Sequence, residues 1–135
     1  MRRYTIAGII FAVASLTAAV PPVAGAPAPS VVRKVLLQHD LAIPTGYTAG
    51  VVSVEIPVGG REGRHTHPGD LFVYVQSGAI TLDYEGQPTK TYKAGDIFYV
   101  AAGKIHEGIN NGNVPAMALA SFVIPKGQPL TTQVQ

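Results

Sequence analysis

The sequence predicts an all-β fold, either a sandwich or a barrel of short strands, preceded by an N-terminal signal segment. Apolar and β-branched residues form a succession of short runs, and clusters of Gly, Pro, Asn or Asp separate nearly all of them. No stretch beyond the N-terminal segment keeps the 3.6-residue period of an amphipathic helix. About 110 residues remain once that segment is removed, which indicates a single domain.

Seven runs are predicted to be strands, and the clearest of them alternates apolar and polar residues. Residues 48–56 read TAGVVSVEI, so Val52, Val54 and Ile56 share one face. Turn-forming pairs such as Pro68-Gly69 separate the runs. In chain order, the predicted strands are residues 31–38, 48–56, 71–76, 79–84, 89–92, 97–101 and 115–124.

Residues 1–25 have the three-part layout of a secretory signal peptide. Arg2 and Arg3 form a basic head, residues 4–20 are uncharged and mostly apolar, and small residues follow up to Gly25. We therefore predict cleavage after Gly25 and a secreted or periplasmic protein. The alternative is an uncleaved membrane anchor, because the apolar run is of borderline length for a spanning helix.

The rest of the chain divides into three predicted parts. Residues 26–34 form a linker that begins rich in Pro and Ala, residues 35–128 form the folded domain, and residues 129–135 form a C-terminal tail. The chain contains no cysteine. The stability of an exported form must therefore come from the apolar core, or from the core together with a metal.

The charge distribution argues against nucleic acid as a partner. The whole chain carries a formal charge of +2, with ten Lys and Arg against eight Asp and Glu. Removal of Arg2 and Arg3 with the signal peptide leaves eight of each, and no basic stripe remains. The sequence has no second apolar span, so we expect no stable membrane span after processing.

Two separate segments contain histidines in a pattern that fits a metal site. His65 and His67 lie one residue apart in GREGRHTHPGD, and strand alternation places both on one face. His106 follows 39 positions after His67. A closed barrel could place His106 on a strand beside the one that carries the pair. The alternative for the pair alone is a solvated loop, since Arg61 and Arg64 flank it.

The first of these segments resembles the first sequence motif of the cupins. That motif is a Gly, five residues, His-x-His, three or four residues, a Glu, six residues and a Gly. In this chain the matching positions are Gly59, His65, His67 and Gly78. The position of the Glu is occupied by Leu71, and this is the one important departure from the motif.

The second segment, AGDIFYVAAGKIHEGINN, resembles the second cupin motif. That motif is a Gly, five residues, Pro-x-Gly, two residues, a His, three residues and an Asn. The matching positions are Gly95, Gly103, His106 and Asn110, with Ala101 where the motif has Pro. The resemblance extends over about residues 39–125, and it is specific because both motifs match at a short separation.

Asp70 is an alternative fourth ligand because it lies one position before the substituted Glu. Strand alternation directs Asp70 to the face opposite the one that Leu71 occupies. A bulge in the preceding Pro-Gly turn could instead re-aim its carboxylate toward the histidines. Both orientations of Asp70 stay open from the sequence.

The resemblance implies a double-stranded β-helix, the jelly-roll barrel of the cupins, with a divalent metal held by His65, His67 and His106. Imidazole binds transition metals such as Fe, Mn, Zn or Ni and binds hard Ca or Mg poorly. Three histidines on one side of the ion leave other positions open to a ligand. Without the Glu, the site would carry about +2 and favour anionic ligands such as enolates, catecholates or carboxylates.

Two functions from different classes follow. One is a metal-dependent enzyme, an oxygenase or an isomerase acting on a small organic molecule. The other is a non-catalytic protein that binds a small molecule, favoured by Leu71 and by the lack of a second obvious acid or base. A homodimer is also expected, by family analogy and because residues 116–124 form a long apolar run.

The other notable side chains are given structural roles. Asn110 is expected to cap a turn, His39 to lie on the surface, and Glu107 to lie on the outer face of its strand. The aromatic residues of two predicted strands are expected in the core or at an interface, and one of the tyrosines could reach the pocket as a proton donor. These aromatic residues are Phe72, Tyr74, Phe98 and Tyr99.

Overall fold

The computed structural model describes residues 29–135 and is all-β, as predicted. The predicted signal peptide and the first residues of the predicted linker lie outside this range. Within it, no helix is long and apolar enough to cross a membrane. The strands are β1 (Val32–Asp40), β2 (Tyr47–Ile56), β3 (His65–Thr66), β4 (Asp70–Ser77), β5 (Ala79–Tyr84), β6 (Lys90–Lys93), β7 (Ile97–Val100), β8 (His106–Ile109), β9 (Ala116–Pro125) and β10 (Thr132–Gln133).

The strands form two antiparallel five-stranded sheets with the core between them. Sheet A has the order β1-β2-β9-β4-β7, and sheet B has the order β10-β3-β8-β5-β6. Six of the eight neighbouring pairs join strands that are not consecutive in the chain, and this is the jelly-roll barrel that the resemblance implied. The longest pairing joins β2 to β9, from Tyr47 opposite Pro125 to Ile56 opposite Ala116.

Alternation along the strands of sheet A decides which side chains enter the core. Val52, Val54 and Ile56 of β2 are buried, which confirms the face predicted from the sequence. Strands β4 and β9 alternate in the same way, with buried residues at every second position. The buried apolar core consists of Val52, Val54, Ile56, Leu71, Val73, Val75, Ile80, Leu82, Phe98, Val100, Ala116, Ala118, Ala120, Phe122 and Ile124.

The barrel extends beyond the predicted domain bounds at both ends. Strand β1 begins at Val32, inside the predicted linker, and pairs with β2. The predicted C-terminal tail contains β10, whose Thr132 lies opposite Thr66, and Leu130 packs against the core. Strand β1 was predicted as residues 31–38 and continues to Asp40, whereas β10 was not predicted, because its partner β3 is distant in sequence and no local pattern marks it.

The aromatic residues divide between the two faces of sheet A. Phe98 is buried in the core, which is one of the two locations expected for the aromatic residues. Phe72, Tyr74 and Tyr99 are instead exposed on the outer face, where the Phe72 and Tyr99 rings lie 5.4 Å apart. Neither Tyr74 nor Tyr99 therefore points into the barrel. His39 is exposed on β1, as expected.

Candidate metal centre

The structure brings His65, His67 and His106 together inside the barrel. His65 in β3 lies directly opposite His106 in β8, which is the strand adjacency expected from the sequence. All three side chains are buried, their ring centres lie 4.4–4.9 Å apart, and one nitrogen from each falls within 4.8 Å of the others. Among residues 29–135, this is the one group of three or more such side chains with that geometry.

Each imidazole is oriented by a hydrogen bond from its Nδ1 to a backbone carbonyl. The acceptors are the carbonyls of Gly63 for His65 at 2.7 Å, of Leu130 for His67 at 2.6 Å, and of Lys104 for His106 at 3.0 Å. Because a carbonyl oxygen only accepts, Nδ1 carries the proton in each ring and Nε2 keeps its lone pair. The three Nε2 atoms are therefore the nitrogens available to a metal.

Two glycines allow the backbone around His67 to lie close to neighbouring segments of the chain. Gly103 has φ +73°, which side chains rarely tolerate, and its N–H donates to the His67 carbonyl at 2.8 Å. Gly69 leaves no room for a side chain, because a Cβ would lie 1.9 Å from the Val123 carbonyl oxygen. The turn that follows His67 thus packs directly against β9.

Burial keeps two of the three histidines neutral near neutral pH. It lowers the pKa of His67 to about 4, aided by the charges of His65 and Arg33 and opposed by the hydrogen bond to a carbonyl. It also lowers the pKa of His106 to about 4, aided by His65 and His67 and opposed in the same way. Neutral imidazoles bind metals without first losing a proton.

These lowered pKa values predict that acid destabilises the metal-free protein. Between pH of about 6.5 and about 4, an unfolded chain protonates His67 and His106 whereas the folded chain does not. The free energy of unfolding is thus highest above pH of about 6.5 and falls as the pH is lowered toward 4. Urea unfolding of the protein after metal chelation, at a series of pH values, measures this slope.

The control for this prediction is the double variant His67→Asn/His106→Asn. Asparagine keeps an N–H near the position of Nδ1 but does not titrate. We expect the double variant to lose less stability than the wild type over the same pH interval, since the carboxylates contribute equally to both. Identical slopes would show that these two histidines do not set the acid sensitivity.

The structure corrects the alternative expectation for Asp70. Its carboxylate is exposed and accepts hydrogen bonds from the Tyr99 hydroxyl at 2.9 Å and the Ala102 N–H at 3.0 Å. Strand β4 begins at Asp70 and alternates regularly as far as Val75, so no bulge turns the Asp70 side chain inward. Leu71 occupies the inner face instead and is buried beside His67.

Glu107 follows His106 in β8 and points away from the histidines, but it is buried rather than exposed. Both of its oxygens accept hydrogen bonds from Arg61, at 3.0 and 2.6 Å, and Gly63 N–H donates a third at 3.1 Å. Burial raises the pKa of Glu107, but the hydrogen bonds and charge of Arg61 outweigh it and hold the pKa below the ordinary value. Glu107 therefore anchors the segment before β3 and is not available as a base at the histidines.

A cavity of about 50 Å³ inside the barrel reaches His67. Apart from His67 and Thr131, its wall is apolar except where Arg33 donates a hydrogen bond to Glu62 at 2.9 Å. Neither Arg33 nor Glu62 was predicted from the sequence, because a single charged residue carries no local signal that it lines a cavity. The apolar wall consists of Val52, Val54, Leu71, Val73, Ile80, Ala118, Ala120 and Leu130.

Tyr84 is the tyrosine that lies beside the histidines. It pairs directly with His106 across β5 and β8, and the two ring centres are 6.4 Å apart. The Tyr84 hydroxyl accepts a hydrogen bond from the Ala101 N–H at 3.3 Å, so its own proton is free to be donated. Alternation with the buried Ile80 and Leu82 is the sequence signal that could have identified it.

The donor set fits a divalent transition metal. Three neutral imidazoles with fixed tautomers are typical ligands of Zn, Fe and Ni, and a backbone carbonyl behind each ring is the usual outer partner of a metal-bound histidine. No carboxylate lies among them, which disfavours Ca or Mg. Leu71, which lines the cavity beside His67, supplies no metal ligand on that side.

Comparison with curated proteins finds plant relatives. Germin-like protein 9-3 of Oryza sativa subsp. japonica is 39% identical over 64 residues, which cover 43% of this chain and 29% of that protein. Auxin-binding protein ABP20 of Prunus persica is 33% identical over 82 residues, which cover 57% of this chain and 38% of that protein. The match thus spans less than two fifths of the length of either relative.

Comparison with solved structures agrees with the fold. A conserved protein with a double-stranded beta-helix domain from Klebsiella pneumoniae subsp. pneumoniae MGH 78578 superposes with a TM-score of 0.60 and 25% sequence identity, covering 86% of this chain and 90% of that one. The Cupin domain family matches residues 52–122, which is more than half of the 135-residue chain. This chain therefore belongs to the cupin family.

Proposed function

We propose that this cupin domain binds a divalent transition metal (Fe, Mn, Zn or Ni) through His65, His67 and His106, and a small organic molecule beside it. The observation that carries the proposal is the set of three buried imidazoles whose Nδ1 atoms are all tied to carbonyls. A purely structural histidine cluster has no need to present three lone pairs to one point. Orientation of this kind is what a metal site requires.

The charge of the site determines the class of molecule we propose. Three neutral donors leave the +2 charge of the ion without compensation, and Leu71 supplies apolar surface where an acid would have supplied a negative charge. A small anion with an apolar body satisfies both features. When bound, the metal supplies Lewis-acid or redox chemistry, and the barrel wall excludes water and orients the molecule.

We propose catalysis as a metal-dependent oxygenase or isomerase, with Tyr84 as the candidate proton donor. Its hydroxyl proton is free, and its ring lies beside that of His106. The alternative is a non-catalytic small-molecule-binding protein. Two observations favour this alternative: Glu107 is fixed in an ion pair, and one relative is named an auxin-binding protein.

Turnover assays on metal-loaded and metal-free protein distinguish the two functions. The purified chain is loaded in turn with Fe(II), Mn(II), Zn(II) and Ni(II) and incubated with a panel of small organic acids, with product formation followed by mass spectrometry. Product formed only in one metal-loaded form supports the enzyme. A ligand that co-purifies and binds stoichiometrically but is recovered unchanged from every form supports the binding protein and excludes the enzyme.

Restoring the acid of the first cupin motif with Leu71→Glu should have opposite effects on stability and on metal affinity. A carboxylate in this buried position is desolvated among apolar side chains, so the free energy of unfolding of the metal-free variant should fall. The same carboxylate opposes the charge of the ion, so Zn(II) affinity should rise about tenfold or more. Calorimetric titration with Zn(II) and urea unfolding measure the two effects.

The matched control is Leu71→Gln, which introduces a polar group of the same size without the charge. It should lose stability in the metal-free form as Leu71→Glu does, but with a much smaller gain in Zn(II) affinity. If Leu71→Glu leaves Zn(II) affinity unchanged, the side chain at this position does not face the metal.

We further propose that the mature protein is exported, on the pattern of residues 1–25. N-terminal sequencing of the secreted or periplasmic fraction tests this. The predicted homodimer stays a prediction, which sedimentation equilibrium tests. The exposed apolar residues on the outer face of sheet A support it, namely Leu37, Phe72, Tyr74, Ile97 and Tyr99.

A further inference from the structure

The cavity that reaches His67 contains a charged pair at one end of a largely apolar wall. Arg33 is on β1, an edge strand of sheet A, and Glu62 lies on the segment just before β3. Their side chains are 34% and 14% exposed, so the pair stands at the boundary between the cavity and solvent. Any molecule that passes this end to reach the histidines therefore meets the pair.

Arg33 has unused hydrogen-bonding capacity at this position, whereas Glu62 has little. A guanidinium has five N–H donors, and a single Nη2 bond to Glu62 is its one side-chain hydrogen bond among the described residues. The second oxygen of Glu62 accepts the Gly108 N–H at 3.1 Å, which fixes that carboxylate to β8. Arg33 is thus held in place by Glu62 and can donate to a further carboxylate.

The volume of the cavity limits the size of the molecule. One water molecule needs about 10–15 Å³ of cavity volume, so a cavity of about 50 Å³ has room for about three to five non-hydrogen atoms. A fused aromatic ring system does not fit inside it. A short aliphatic chain does, and it suits the apolar wall.

We propose that Arg33 is the specificity-determining residue of this site, and that it binds the carboxylate of a short hydroxy or keto acid. The aliphatic part of the acid lies in the cavity, and the oxygen at its other end faces the histidines. This inference rests on the proposed function, because it takes the histidines to be the metal site. It adds the recognition of one end of the ligand and an upper limit on its length.

Paired probes that differ only in charge test the role of Arg33. The probes are 3-hydroxypropionate, whose hydroxyl is on its terminal carbon, and its neutral amide, each titrated into the purified protein in the metal-free and the Zn(II)-loaded forms. Backbone amide shifts of Leu130 and Thr131, which line the cavity, report binding at this site. We expect the wild type to prefer the acid about tenfold or more, and Arg33→Gln to lose that preference.

The matched control is Lys34→Gln, which removes the same charge from the next residue of β1. It should keep the preference for the acid. Equal preferences in the wild type and Arg33→Gln, or an equal loss in Lys34→Gln, would overturn the proposal, because long-range charge would then account for the result.

A second variant keeps the proposal testable if Arg33→Gln does not fold. Glu62→Gln keeps one acceptor oxygen for Arg33, loses the hydrogen bond from Gly108 N–H and removes the competing negative charge, so it should bind the acid several-fold more tightly while its affinity for the amide stays the same. No gain in acid affinity would contradict the role of Arg33. Measurements on the wild-type protein in both forms separate the two proposals. A wild type that prefers the acid but does not bind Zn(II) refutes the metal site alone. A wild type that binds Zn(II) but does not prefer the acid refutes the role of Arg33 alone.

Discussion

Replacing His106 with alanine is expected to lower the affinity for a divalent transition metal by at least about 100-fold. Loss of an outer partner of a metal ligand commonly costs 10–100-fold, and this substitution removes a ligand itself. His106 is also the one histidine supplied by β8, so its loss leaves two donors from a single short segment. Competition titration with a chromophoric chelator, using Zn(II) and Ni(II), measures the change.

The fold of the variant should survive, because the substitution removes a side chain from a polar cluster rather than from the apolar core. The control is His39→Ala, which removes the exposed histidine of β1. We expect its metal affinity to equal that of the wild type. Wild-type affinity in His106→Ala, or an equal loss in His39→Ala, would refute the three-histidine site.

Replacing Asn110 with alanine is expected to lower the free energy of unfolding by about 3 kcal/mol or more. This side chain is fully buried, and all of its polar atoms are used. Its Nδ2 donates to the carbonyls of Ile56 at 2.9 Å and Val114 at 2.8 Å, and its Oδ1 accepts the Gly112 N–H at 2.9 Å. Alanine leaves the buried Ile56 carbonyl unpaired at a cost of about 1–3 kcal/mol, and it removes two further hydrogen bonds to the exposed turn at Gly112 and Val114, each worth about 0.5–1.5 kcal/mol. Urea unfolding measures the loss.

The neighbouring residue provides the control, since Asn111 is exposed and Asn111→Ala should change stability by less than about 0.5 kcal/mol. Asn110 makes no hydrogen bond to the three histidines, so Asn110→Ala should still bind metal under conditions where it is folded. A stability loss below about 1 kcal/mol would show that the side chain is not the link between β2 and the β8–β9 turn.

The fold could be predicted because its determinants are local. Alternation in TAGVVSVEI identified the buried face of β2, and turn residues marked most strand ends. Asn110 was expected to cap a turn, and its bond to Gly112 confirms this. Its further bonds to Ile56 and Val114 could not be foreseen, because they depend on how the barrel closes.

The site could be predicted only in part. Motif spacing pointed to the three histidines, whereas the sequence left both orientations of Asp70 open, and its side chain lies outward. The burial of Glu107 was not predicted, because it results from Arg61, 46 positions away in sequence. Arg33 was missed for the same reason, because its partner Glu62 comes from a distant part of the chain. Tyr84 was missed although its alternation with Ile80 and Leu82 could have identified it.

The most direct test of the account is the metal stoichiometry of the wild-type protein. The purified chain is incubated with excess Fe(II), Mn(II), Zn(II) or Ni(II) under anaerobic conditions, desalted, and measured by elemental analysis. We expect close to one bound ion per chain for at least one of these metals. In the variant with alanine at His65, His67 and His106, the bound metal should fall to background. Background metal in the wild type after every incubation would contradict the account.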